Sequence, residues 1–142
     1  MLLLIEMALE ETYEKIRSFL NMMGLKFFFD EEDKVFVVPF EIEGKVFPVL
    51  VIPQQKWILT VAKIANVKKD LPDVNKENLY RKLLRETFYL NEVTYGLTDD
   101  EDVVVHAEES VSSLSFENFQ TEFFSVVAGL KHWLDSIKPG LS

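Results

Sequence analysis

Near the start of the chain Leu9, Ile16, Leu20 and Met23 recur at helical spacing, with Thr12 or Tyr13 filling the gap. Glu6, Glu10, Glu11, Glu14 and Lys15 fall mostly on the opposite side, so the pattern predicts an amphipathic helix over residues 5–23. Its acidic residues sit in the first turns, where the helix dipole favours them, and Gly24 is placed to stop it. The apolar pattern then changes. Residues 25–29, 35–42, 46–52 and 57–64 read as four strands, with a charged loop over 30–34. Glu43-Gly44 is a two-residue connection of the kind that closes a tight hairpin.

That hairpin can be read in register. If Ile42 and Lys45 close the turn, Phe40 opposes Phe47 and Pro39 opposes Pro48. Both prolines then occupy a pair that exchanges no hydrogen bond, and each fails to donate to its outer neighbour instead. Breaks or bulges are therefore expected against the first and fourth strands. The same register sorts side chains onto two faces. One carries Phe36, Val38, Phe40, Ile42, Phe47, Val49 and Val51. The other carries Val35, Val37, Pro39, Val46, Pro48, Leu50 and Ile52, with Glu41 its only charge. A sheet with one wet side should alternate apolar and polar, and this ribbon does not.

Residues 65–74 read as a polar connection. Asn75 is a candidate cap for a helix to about Thr87, with Leu79, Leu83, Tyr80 and Leu84 pointing inward. A second hairpin follows over 93–97 and 103–107, around the acidic turn 98–102. Residues 108–114 then connect to Ser115, the expected N-cap of the last helix. There Phe116, Phe119, Phe123, Val126, Leu130, Trp133 (or Leu134) and Ile137 make one apolar seam that ends before Pro139-Gly140. The order helix-β-β-β-β-helix-β-β-helix predicts a single α+β domain over residues 1–142 with an antiparallel sheet.

Composition narrows the function classes. Apolar residues make up 48% of the 142, including twelve Phe, which is ample for one packed core. Fifteen Lys+Arg stand against twenty-four Asp+Glu, a net charge of -9. Phosphate backbones and anionic lipid both call for clustered cations, and Lys68-Lys69 followed by Asp70 is the longest basic run, so neither nucleic acid nor membrane is the expected partner. The apolar opening Met1-Leu2-Leu3-Leu4-Ile5 is interrupted by Glu6 and lacks a basic leader and a cleavage site. Without Cys there is no disulfide, thiol catalysis or thiolate metal site, and a cytoplasmic address is the expectation.

Candidate chemistry is thin. His106, beside Glu108, and His132, beside Trp133, are the side chains poised near neutral pH, but no motif makes either a base or a ligand. The acidic runs 30–33 and 99–102 lack the spaced oxygens, central Gly and terminal Glu of a calcium loop, and read as solvated turns. Five isolated glycines form no phosphate cradle, and no nucleophile elbow is present. No catalytic residue, cofactor or metal is expected.

The segment from Leu79 to Ile137 resembles the YbjN family and the wider type III secretion chaperone-like fold. The likeness rests on Leu83-Leu84-Arg85-Glu86-Thr87-Phe88-Tyr89-Leu90-Asn91, then Tyr95-Gly96-Leu97, the acidic turn, Val103-Val104-Val105 and the long C-terminal helix. The resemblance implies an antiparallel α+β fold and often a dimer. Secretion chaperones of this fold bind extended segments of client proteins along hydrophobic grooves. YbjN-like proteins are described as sensory-transduction regulators, and the family has no catalytic residues to carry over.

The functional expectation is thus a non-enzymatic, protein-binding or chaperone-like regulatory module, working as a homodimer. Its partner, a twin subunit or a client segment, would contact Val37, Pro39, Val46, Pro48, Leu50 and Ile52. The alternative is a small-ligand regulatory domain with a pocket between the sheet and the last helix, lined by Phe119, Phe123 and Trp133.

Overall fold

A computed structural model describes residues 2–142; Met1, and with it the first residue of the apolar opening, lies outside them. Helix α1 (Leu2–Met22) begins earlier than its periodicity indicates and buries Thr12, Ile16 and Leu20. It ends on Gly24, whose φ of 70° lets the Gly24 amide reach Asn21 O and the Leu25 amide reach Leu20 O, satisfying two terminal carbonyls. Four strands follow: β1 (Phe28–Asp30), β2 (Val35–Ile42), β3 (Lys45–Pro53) and β4 (Trp57–Asn66). Helix α2 (Val67–Asp70) is one turn, α3 (Lys76–Tyr89) is capped by Asn75, and β5 (Thr94–Leu97) and β6 (Asp102–Ser110) form the late hairpin. A short 3-10 turn leads to Ser115, which caps α4 (Phe116–His132). The helical path then widens into one π turn, Trp133–Ile137.

The strands make one antiparallel sheet in the order β1-β2-β3-β4-β6-β5. The fold is therefore α+β with the element order expected, plus the extra turn α2. The central hairpin has the predicted register, Ile42 opposite Lys45 and Pro39 opposite Pro48. Glu43 and Gly44 both have positive φ, 53° and 81°, the geometry of the turn whose twist matches a two-residue hairpin.

The prolines limit the neighbouring ladders. By its register β1 would set Lys26 against Pro39, and the ladder stops at Phe28–Val37. This is why β1 is displaced from the expected 25–29. By the β3–β4 register Pro48 would face Lys63, and that ladder stops at Val49–Ala62. A proline has no N–H to give there. Beyond that point β4 pairs with β6 alone, and its register shifts between Lys63 and Ala65. The stretch read as a polar connection from 65 is instead the end of β4 and α2. Likewise β6 runs on to Ser110, three residues past the expected end.

Helices α1 and α4 pack on one face of the sheet. Between them and the strands lies the core, built from Phe36, Val38, Val49, Val51, Ile58, Val103 and Val105 below and Ile16, Leu20, Phe119, Phe123, Val126 and Leu130 above, all nearly inaccessible. Helix α3 docks on β5, burying Leu79 and Leu83 with Tyr80 half-buried. Leu84, expected to point inward, is instead 72% exposed. Stripes 79/83 and 80/84 are neighbours on the helix, and a helix lying along one edge covers only part of its apolar arc.

Candidate functional site

The sheet has a second face, and its side chains follow from strand alternation. Phe28, Val37, Leu50, Val61, His106 and Thr94 are cross-strand partners in sequence, forming one row over all six strands. Beside it run Val35, Ile52, Leu59 and Glu108, and, on the other side, Pro39 opposite Pro48. Phe28 and Val46 are each 55% exposed; Val37, Leu50, Ile52, Leu59 and Val61 are half-buried, and Val35 is buried. Every residue of the predicted contact set lies on this face: Val37, Leu50 and Ile52 half-buried, Pro39, Val46 and Pro48 exposed. The main core residues of the same strands point the other way, toward α1 and α4.

Where Pro48 ends the β3–β4 ladder, the surface dips into a groove of about 400 Å³. Val46, Pro48, Leu50, Val61 and Val104 line it, with Lys63 at its rim. The backbone consequence of one proline and the apolar character of the face therefore coincide at one place. Lys63 is 3.2 Å from Asp102 Oδ1. Asn66 Nδ2 donates to the same oxygen at 2.8 Å and to Asp100 O at 3.0 Å, while Asn66 Oδ1 accepts from the Lys69 amide. The Asn66 hydrogen bond, followed by Lys63, holds the Asp102 carboxyl below its ordinary range. This network pins α2 at the groove's end.

The other candidates are accounted for by local structure. Asp30 Oδ1 accepts from the Glu32 and Asp33 amides, closing the first acidic turn. In the second, the Thr98 and Glu101 amides bond Asp102 O and Thr98 O. His106 Nδ1 is 2.6 Å from Glu108 Oε1 on the open face, and His132 Nε2 is 3.2 Å from Glu86 Oε2. The space proposed for a small-ligand pocket holds side chains: Phe119 and Phe123 are fully buried with ring centroids 6.2 Å apart, and Trp133 is 3% exposed. Tyr95, buried there, donates its hydroxyl to Gly129 O at 2.7 Å; burial, then the Glu86 charge, raises its pKa.

One surface escaped the sequence reading. On α3, Leu84, Phe88 and Tyr89 are 72–80% exposed, with the Phe88 and Tyr89 rings edge to face at 5.1 Å. The sequence points Leu84 inward and ends the helix near Thr87, so Phe88 and Tyr89, in the last turn of α3, fall outside that reading.

Among solved structures, the chain is similar to a chain of the ExsC–ExsE complex, at 16% identity and a TM-score of 0.64, over 88% of this chain and 92% of that one. It is also similar to YbjN, a "putative transcription regulator from E. coli", at 16% identity and 0.63, covering 90% and 92%. A third likeness is to the Yersinia pestis type III secretion chaperone SycH in complex with a fragment of YscM2, at 14% and 0.52, covering 89% and 96%. The fold is that of YbjN and the type III secretion chaperones. At these identities the likeness concerns the fold alone. No protein-family model and no curated protein matches the sequence. Among the described residues, no helix is long and apolar enough to cross a membrane.

Proposed function

We propose that this chain is a non-enzymatic, cytoplasmic protein-binding module whose open sheet face receives an extended segment of another protein. The observation that carries the reading is the apolar row Phe28, Val37, Leu50 and Val61, which spans four strands on the face opposite the one where α1 and α4 pack among the described residues. Partly exposed apolar surface of this continuity is a feature of binding sites. Support also comes from the similar structures, ExsC with ExsE and SycH with YscM2, which are complexes of a protein of this fold or its chaperone relatives with another protein. Val37, Pro39, Val46, Pro48, Leu50 and Ile52 make the contact, and the groove beside Pro48 seats its largest side chain. The module works as a homodimer, joined through Leu84, Phe88 and Tyr89 on α3, which leaves the sheet face free.

Two substitutions separate these roles. Leu50→Asp should abolish binding to an array of extended apolar peptides and leave the dimer intact, with the loss of stability expected for a charge at a half-buried strand position. Phe88→Asp should reduce the mass in light scattering from about twice 16.5 kDa to one chain and leave peptide binding in place. Peptide binding that survives both Leu50→Asp and Val37→Asp would overturn the assignment of the face.

A further inference from the structure

Among the described residues, one acid in the core has no hydrogen-bond partner. Glu109 lies on β6, opposite Ile58 of β4, and faces α4. It is 8% exposed, and both carboxyl oxygens are buried without a hydrogen bond. Burial in that state disfavours the ionised carboxylate and favours the protonated form.

Its charged surroundings are acidic. The charge that acts on it from α4 is that of Glu122, which in turn feels Glu92, ahead of β5, and Glu108 of β6. On the β4 side stand Ile58 and, in the preceding turn, the exposed Lys56. Among the described residues no ion pair involves Glu109 or Glu122; Lys63 is committed to Asp102 and Lys131 to Asp135 at 2.8 Å.

We propose that Glu109 is a proton-dependent latch between β6 and the first half of α4: the helix stays packed on the strand while the buried Glu109 carboxyl is protonated, and loosens when it ionises near Glu122. Burial first, and the Glu122 charge second, push Glu109 up to about 7, and burial, with Glu92 and Glu108, raises Glu122 as well. An acid whose pKa is higher in the folded state than in the unfolded chain makes stability fall as pH rises from its ordinary value of 4.5, levelling off above 7. The element released, the Phe119–Phe123 half of α4, is the lid of the core beneath the open sheet face.

The test is amide hydrogen exchange of α4 at several pH values, corrected for intrinsic rates, in the wild type, Glu109→Gln and Glu122→Gln. Opening of residues 116–124 in the wild type should become roughly 10- to 100-fold more frequent between about pH 5 and about pH 8.5. Glu109→Gln should be nearly flat over that range, and Glu122→Gln, which removes the charge that raises Glu109, should move the transition down in pH and make it smaller. The carboxyl carbon of Glu109 should titrate near neutrality by NMR, a readout that needs no variant to fold. A Glu109 titration at an ordinary carboxylate value, or equal pH dependence in wild type and Glu109→Gln, would overturn the latch.

Discussion

Helix α4 approaches the sheet closely at Gly129, and Gly129→Ala tests whether that approach holds the core together. An added Cβ would stand 2.5 Å from Val105 Cγ2 and 3.1 Å from Val93 Cγ1, where ordinary carbon contacts are about 3.5–4.0 Å. The overlap of about 1 Å cannot be relieved by a rotamer change alone, because Val105 is stiff at χ1 and its strand is paired on both sides. Helix and strand must separate, which also stretches the Tyr95–Gly129 hydrogen bond. Two effects oppose each other. Alanine is the better helix former by about 1 kcal/mol, whereas overpacking of this kind costs about 1–3 kcal/mol and the strained hydrogen bond up to about 1 more. The net expectation is a loss of about 1–2 kcal/mol, or roughly 3–10 °C in Tm for a domain of this size, read by thermal and urea unfolding. A Gly129→Ala protein as stable as the wild type, or more so, would mean that propensity wins and the contact is loose. Combining it with Val105→Ala supplies the control: the pair should be coupled by at least about 0.5 kcal/mol, since the second change makes room for the first.

Asn66→Ala removes two donated bonds and the cap of α2 together, so it should destabilise by about 1–2 kcal/mol. It should also let the Asp102 carboxyl, held down chiefly by the Asn66 hydrogen bond, rise toward its ordinary value in an NMR titration. Pro48→Val supplies an N–H that can donate to Lys63 O and should extend the β3–β4 ladder, giving a protected amide at position 48 and a better protected one at Lys63, with a stability gain of up to about 1 kcal/mol. It should also narrow the groove, so peptide binding should weaken; unchanged protection there would refute the role given to the proline.

Local rules carried much of the fold. The Glu43-Gly44 turn and a side-chain period of two determine the register of the central hairpin, because a one-residue slip would exchange its faces. Gly24, Asn75 and Ser115 mark helix ends through bonds made within a few residues of themselves, so they are legible from sequence. Even the two ladder breaks follow from Pro39 and Pro48, once their opposite numbers are known.

The candidate face was visible as a set of residues, and its openness was not. Alternation says that Val37, Leu50 and Ile52 share a side; it cannot say that α1 and α4 both settle on the other one. The same limit put Leu84 inside, missed the exposed Phe88 and Tyr89, and hid the close approach at Gly129 and the unpartnered carboxyl of Glu109. Each of those depends on which distant element comes to lie against a surface. The sequence by itself determined the elements, their caps and the faces of each strand, since these rest on contacts between near neighbours in the chain. Only the tertiary structure decided which apolar surfaces are covered, because that is settled by packing between segments up to a hundred residues apart, where no local period carries the information.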